Sequence, residues 1–260
     1  MTLKNYLVIF GLIVATVFTS CKKDEEEPAA SGSDAPKISV NATTSGEIIT
    51  VPQNASSANG GQFNSIITNI NQIGTFLTAL NSVPENAKVT SRSTNSTTTY
   101  YWTISDQGGT YEVWYTVVES GENYTLTYDI AANTPDLTIS RTTYISGWVA
   151  KNGKNGHLVF NYEAFTGEDG EFNYTYDWNT NSVGDLHILA HWNIDSGIYT
   201  DMIYEVTVYA DGSGNAEHRY SDSDNNIVWH YEWNADWTVI SWTYTVNGEE
   251  DREMSGEWNA

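Results

Sequence analysis

The sequence predicts an all-β fold: an up-and-down antiparallel meander of about eleven or twelve strands, curved or closed into a barrel. Apolar and polar residues alternate with period two from Thr98 to the end of the 260-residue chain, which is the pattern of strands with one buried face. Turn sequences rich in Asn-Gly and Asp-Gly separate the alternating runs and supply the positive φ angles of tight hairpins. A sheet of that many strands curls, because each strand has a right-handed twist.

One helix is predicted before the strands, over residues of about 62–82. Its polar face is uncharged and rich in Asn, a poor helix former. We therefore expect the helix to depend on packing its apolar stripe against the sheet. The apolar residues that recur at helical spacing are Phe63, Ile66, Ile67, Ile70, Ile73, Leu77 and Leu80.

Aromatic residues dominate the alternating runs that follow. In the run 171–178 all four aromatic side chains fall on one face. The runs 227–234 and 240–246 place Ile, Trp and Tyr on one face in the same way. No second helical pattern interrupts the strands, so the turns join each strand directly to the next.

Composition divides the chain into three parts. Residues 1–20 are an N-terminal apolar segment, and residues 21–60 are predicted to be a flexible acidic, Ser- and Asn-rich tether. Within the tether, 37–40 and 47–51 are candidates for a short hairpin. Residues 61–260 are predicted to form a single β domain, which is long enough to bury one adequate core.

Cys21 is the only cysteine of the chain and ends the N-terminal apolar segment. That segment is too short to cross a hydrocarbon core of about 30 Å, but it has the length of a signal-peptide h-region. The small residues Thr19 and Ser20 precede Cys21 and give a peptidase access to the backbone. The sequence therefore predicts a signal peptide over 1–20, cleavage before Cys21, and lipid on the new N-terminal cysteine.

The residues around Cys21 carry a resemblance to a known class of protein. Phe18-Thr19-Ser20-Cys21 resembles a lipobox, with Phe18 where an aliphatic residue is usual. The resemblance implies an outer-membrane lipoprotein that is held by acyl chains and faces the cell surface. The residues that are similar to the surface-export tag of Bacteroidota lipoproteins are Lys22, Lys23, Asp24, Glu25, Glu26 and Glu27.

The acidic net charge argues against two classes of partner, nucleic acid and anionic lipid headgroups. The chain has a formal net charge of −22, and removing residues 1–20 takes away one lysine and no acid. The mature chain therefore repels nucleic acid, whose phosphates require Lys and Arg. The same charge opposes binding to anionic lipid headgroups, so attachment to the outer membrane is expected through the acyl chains.

All ten tryptophans lie from residue 100 onward. Exported sugar-binding proteins stack sugar rings on flat aromatic faces, with Asn, Asp and Glu beside them to bond hydroxyls. Cross-strand pairing in a sheet explains most aromatic residues without a ligand. In the most platform-like segment, a tight turn is expected to expose two indoles beside a carboxylate and an amide. The candidate ligand-binding residues there are Trp233, Asn234, Asp236 and Trp237.

No metal site is predicted from the histidines. His187 and His191 are four residues apart, which on a strand places them about 13 Å apart on the solvent face. The alternative is a zinc site assembled across strands from His230, Glu232 and His218, and no ligand-spacing motif supports it.

Two acidic segments, 211–215 and 222–226, have a faint likeness to calcium loops. Both lack the glycine and the distal glutamate of the EF-hand pattern, and both fall where hairpins should turn. They are interpreted as turns, with weak surface calcium as the alternative and no other cofactor expected.

No catalytic residue is predicted, because the chain contains none of the common nucleophile, phosphate-loop or zinc-protease motifs. A glycosidase needs only two carboxylates, and Glu163, Glu168 and Asp177 are among the 33 acids that could supply them. Three functions are therefore carried forward. The first is a non-catalytic binding module for a glycan or an envelope protein. The second is a carrier that encloses a lipid-like ligand in an apolar cavity, and the third is a polysaccharide hydrolase.

Overall fold

The computed structural model describes residues 35, 48–51, 63–71, 83–92, 96–106, 109–135, 138–161, 172–194, 201–222 and 224–259. Within them, residues 63–71 form helix α1. The described strands are β1 (Lys88–Arg92), β2 (Thr97–Asp106), β3 (Gly109–Ser120), β4 (Asn123–Asn133), β5 (Thr138–Ala150), β6 (Asn155–Asn161), β7 (Phe172–Thr180), β8 (Leu186–Ile194), β9 (Asp201–Val208), β10 (Gly214–Ser221), β11 (Asn226–Trp233), β12 (Val239–Val246), β13 (Glu249–Glu250) and β14 (Gly256–Asn259).

These strands form one antiparallel sheet in which each strand pairs with its neighbour in the chain, from β1 to β13. β14 also pairs with β12, so β13 and β14 share one edge of that strand. The predicted up-and-down meander is confirmed. The sheet has 14 strands rather than the predicted eleven or twelve, because it includes three short edge strands, β1, β13 and β14.

The sheet does not close into a barrel, which was one of its two predicted forms. In the described part of the chain, β1 and the β13–β14 edge have no hydrogen bonds to each other. β13 consists of the exposed residues Glu249 and Glu250. Carboxylates on a short edge strand discourage pairing with a second edge, which agrees with an open sheet.

Helix α1 packs on one face of the sheet. Its apolar residues are buried as their helical spacing predicts. Phe63 contacts the ring of Tyr231 on β11 at 5.0 Å, and the Tyr176 hydroxyl on β7 donates to the carbonyl of Asn69. We call this the helix-side face and the opposite one the outer face. The rest of the predicted helix, including Ile73, Leu77 and Leu80, lies outside the described residues.

The Asn71 side chain ties a preceding segment to the helix. Its Oδ1 accepts from the backbone N–H groups of Ile48 and Ile49, each at 2.9 Å, and its Nδ2 donates to the Ile49 carbonyl at 2.7 Å. Residues 48–51 form no strand, and the other residues of the predicted hairpin lie outside the described part. The side-chain amide of Asn71 therefore forms the hydrogen bonds to Ile48 and Ile49 that a neighbouring strand would otherwise form.

The core occupies the helix-side face and is rich in aromatic residues. One continuous cluster contains α1 and buried side chains from β2 to β12. Tyr100, Tyr115 and Tyr128 on successive strands contact each other at about 6 Å, as cross-strand aromatic pairs do. Within the described residues, no helix has the length and hydrophobicity that crossing a membrane requires.

Three indoles each cover a glycine on the neighbouring strand. A Cβ added to Gly156 would lie 2.1 Å from the Trp178 ring, and Trp178 Nε1 donates to the carbonyl of Gly153 at 3.0 Å. Because Gly156 has no side chain, the Trp178 ring can pack over it, and the Gly153 carbonyl in the turn before β6 accepts the indole N–H. The arrangement recurs in the pairs Gly214–Trp233 and Gly256–Trp242.

Candidate functional site

The predicted lipidation site and export tag lie outside the described residues. This applies to Cys21 and to the whole segment Lys22–Glu27. Lipid attachment and surface export therefore stay predictions from the sequence.

The indoles of Trp233 and Trp237 stack on each other, with ring centroids 5.0 Å apart and planes 11° apart. Trp233 is only 4% exposed, because it also packs against Phe63 of α1 at 6.1 Å. The expectation that the turn exposes both indoles is therefore wrong for Trp233. Trp237 is half-buried and also contacts Phe63.

The polar residues of this turn are used by the turn itself. Asn234 Oδ1 accepts from the Val239 N–H at 2.9 Å, and Asp236 Oδ1 accepts from the Thr238 hydroxyl at 2.8 Å. The bonds from Thr238 hold the pKa of Asp236 below its usual value. Ligand binding by Trp233, Asn234, Asp236 and Trp237 stays a prediction, with Trp237 as the ring that remains partly accessible.

The histidines divide between the two faces of the sheet. His187 and His191 lie on the outer face, as predicted, and contact Glu205 and Asp201, each at 2.9 Å. The bond from His187 is the main cause that lowers the pKa of Glu205.

The zinc alternative does not assemble. His230 lies on the outer face, 3.4 Å from Glu232, whereas His218 is buried on the helix-side face and stacks on Tyr204 at 4.4 Å. Among the described residues, no group of three or more His, Cys, Asp or Glu side chains is arranged to hold a metal ion.

Asp211 and Asp222 of the two acidic segments lie in the hairpin turns before and after β10, as predicted. Asp211 Oδ1 accepts from the N–H and the hydroxyl of Ser213, and Asp222 Oδ1 accepts from the N–H groups of Asp224 and Asn225. These bonds lower the pKa of both aspartates. Their carboxylates therefore stabilise the turns.

The outer face of β3–β5 contains a groove that sequence reasoning missed. Its volume is about 460 Å³, and Trp148 on its rim is 38% exposed, an unusual exposure for so large an apolar side chain. We call it the Trp148 groove. It is lined by Ser120, Asn123, Thr125, Leu126, Thr127, Ser146, Gly147 and Trp148.

Close strand pairing at Gly147 positions Trp148. A Cβ at Gly147 would lie 2.0 Å from the carbonyl oxygen of His157, and the residue has a φ of +155°. Only glycine fits this approach of β5 to β6. The next residue, Trp148, then projects from the outer face, between Thr125 on β4 and His157 on β6.

A row of hydroxyl side chains crosses the outer face beside Trp148. The strand register places its members directly opposite one another on β2, β3, β4 and β5, and Thr99 Oγ1 lies 3.0 Å from Thr116 Oγ1. Each hydroxyl can donate and accept a hydrogen bond. We call it the hydroxyl row, and its members are Thr99, Thr116, Thr127 and Ser146.

An arginine–aromatic cluster lies across the hydroxyl row from Trp148. The guanidinium of Arg141 stacks on the Trp114 ring at 4.5 Å. Its Nε and Nη2 donate to Asp129 Oδ2 at 2.9 and 2.7 Å, while Asp129 Oδ1 accepts from the Thr143 hydroxyl at 2.9 Å. Tyr101 packs against Trp114 at 5.3 Å. We call these five residues the Arg141 cluster.

The region therefore offers an aromatic face, neutral hydroxyl and amide groups, and one fixed cation. All the lining residues of the Trp148 groove are uncharged. On the far side of Trp148, His157 Nδ1 lies 2.7 Å from Asp177 Oδ1. Asp177 was one of the predicted candidate carboxylates, and Glu163 and Glu168 lie outside the described residues.

Comparison with known proteins finds no matching family model, no similar curated protein and no similar solved structure. A fold alone does not define a function. Function is therefore inferred from the chemistry of the outer face and from the sequence signals at the N-terminus.

Proposed function

We propose that the protein is a lipid-anchored outer-membrane lipoprotein, exposed at the cell surface, whose β domain binds a neutral glycan without catalysis. The anchor is Cys21, followed by the export tag Lys22–Glu27. The contact surface is the Trp148 groove.

The observation that carries the binding proposal is the exposed Trp148 beside neutral hydrogen-bonding groups. A sugar ring presents an apolar C–H face and a rim of hydroxyls. The indole of Trp148 suits the apolar face, while Thr125, Ser146 and Asn123 supply donors and acceptors for the rim. A few polar groups around an apolar contact are the usual composition of a small-molecule site.

The charge of the chain favours a neutral ligand over an acidic one. The formal net charge is −22, and the groove offers no cation among its lining residues. A sulfated or uronic acid polymer would approach against the field of the whole protein.

The two other functions have less support in the described residues. A lipid-like ligand would need an apolar cavity, but the helix-side face is occupied by α1 and by the aromatic side chains of the sheet. A hydrolase would need two carboxylates about 5–9 Å apart across the substrate, and the lining of the Trp148 groove contains none.

The proposal is tested by glycan-array screening of the purified protein, followed by calorimetric titration of the neutral glycans that bind. Trp148→Ala should weaken binding at least tenfold, equivalent to about 1.4 kcal/mol. The matched control is Tyr209→Ala, which removes another exposed aromatic side chain, 43% exposed, outside the groove. Wild-type protein that binds no neutral glycan, or affinity unchanged by Trp148→Ala, would refute the proposal.

A further inference from the structure

The Trp148 groove continues into a longer binding surface on the same face. The register aligns Val118, Thr125 and Trp148 across β3, β4 and β5. Trp114 lies four residues before Val118 on β3, so it shares the outer face with Trp148. The hydroxyl row passes between the two indoles.

The distance between the two ends exceeds one sugar ring. Strand spacing near 4.8 Å and a rise near 3.4 Å per residue put the Cα atoms of Trp114 and Trp148 roughly 17 Å apart. Covalent bonds near 1.5 Å make each pyranose unit of an extended chain roughly 5 Å long. About four units would therefore be needed to reach from one indole to the other.

The far end is built as a hydrogen-bond donor. Asp129 engages two N–H groups of Arg141, and Trp114 supports the guanidinium plane. A guanidinium has five N–H donors in a fixed fork, so three are not engaged by Asp129. The Arg141 side chain is 50% exposed, and its charge is offset by Asp129. It is therefore oriented to donate to a neutral oxygen atom, such as a hydroxyl or an amide carbonyl.

We propose that the ligand is a linear neutral oligosaccharide of about four units, which runs diagonally from Trp148 across the hydroxyl row to the Arg141 cluster. This inference rests on the proposed function and specifies its ligand. One end of the chain stacks on Trp148, the middle bonds to Thr127 and Thr116, and the other end accepts hydrogen bonds from Arg141.

The test is a length series measured by calorimetry with the full chain. The probes are cello-, chito- and xylo-oligosaccharides of one to six units. For the series that binds, affinity should rise at least tenfold between two and four units and then level off. Binding of the dimer should depend on Trp148 and should not depend on Arg141.

Two variants test the contributions of the Arg141 end and of the middle of the surface to oligosaccharide affinity. Arg141→Met keeps an unbranched side chain over Trp114 but removes the donors, and should reduce tetramer affinity to about that of the dimer while leaving dimer affinity unchanged. Thr127→Val removes one central hydroxyl at nearly constant shape and should also weaken the tetramer selectively. The control is Arg219→Met on β10, an outer-face arginine that is likewise bound to carboxylates, Glu205 and Glu217.

The outcomes distinguish this inference from the proposed function. Affinity that depends on Trp148 but not on chain length overturns the extended site and leaves glycan binding intact. Arg141→Met that weakens the dimer and the tetramer equally also overturns it. If no oligomer of the three series binds and the array is negative, both proposals fail.

Discussion

We expect His218 to lower the stability of the protein as the pH is decreased from 6.5 to 4. The side chain is 5% exposed on the helix-side face, stacked on Tyr204 with planes 8° apart and against Tyr220 at 5.0 Å. Burial among these rings lowers the pKa of His218 from 6.5 to about 4, because a buried imidazolium loses its hydration. The perturbation is His218→Phe, which keeps a ring on Tyr204 and removes the titrating group.

The magnitude follows from the difference in pKa between the two states. As the pH falls below 6.5, the unfolded chain binds a proton at His218 that the folded chain accepts only near pH 4. The depressed pKa therefore contributes stability that is present at pH 7 and is lost progressively toward pH 4. Between pH 7.5 and pH 5.0, only the part below pH 6.5 contributes, because above it neither state binds the proton. At about 1.36 kcal/mol per pH unit, the loss of unfolding free energy is therefore about 2 kcal/mol.

The assay is urea unfolding of the wild type and His218→Phe at pH 7.5 and pH 5.0, followed by tryptophan fluorescence. Both proteins contain the same carboxylates and the same four other histidines, whose titration cancels in the comparison. The wild type should lose about 2 kcal/mol more of its unfolding free energy than the variant between the two pH values. An equal loss in both proteins would refute the assignment of a depressed pKa to His218.

Three further predictions concern the sheet and the anchor. Gly156→Ala should destabilise the protein by about 3 kcal/mol in urea unfolding, because its methyl group would overlap the Trp178 ring. The control is Gly248→Ala, whose methyl group meets no other atom; it should cost only about 1 kcal/mol, because its φ is +82°. Equal costs for the two variants would contradict the steric explanation. Cys21→Ala should release the protein into the soluble periplasmic fraction, and persistent membrane fractionation would contradict the anchor. Replacing Lys22–Glu27 with neutral residues should protect the protein from protease added to whole cells, and unchanged cleavage would contradict the export tag.

The sequence predicts the meander well because its main signal is local. Alternation places Tyr174, Tyr176 and Trp178 on one face, and all three are buried there. Helical spacing likewise predicts the burial of Phe63 and Ile70. Barrel closure is not local, since it depends on whether the first and last strands of the sheet meet.

The candidate site could not be predicted because it depends on register between strands. Thr116, Thr127 and Ser146 are unremarkable in sequence, since threonine and serine are common on the solvent face of strands. They become a row only when β3, β4 and β5 pair with one particular alignment. The expected exposure of Trp233 was wrong for a different reason: the turn was identified correctly, but the docking of Phe63 from α1 covers the Trp233 ring.

The structural roles of other indoles give Trp148 its significance. Trp178, Trp233 and Trp242 each cover a glycine on the neighbouring strand, and each donates its N–H to a turn carbonyl. Removing any of them would therefore disturb the sheet, whatever the protein binds. Trp148 is the most exposed tryptophan in the described part of the chain and follows a glycine that lets β5 approach β6. Because its ring contributes little to the core, a large loss of glycan binding in Trp148→Ala with unchanged unfolding free energy would assign that ring to recognition.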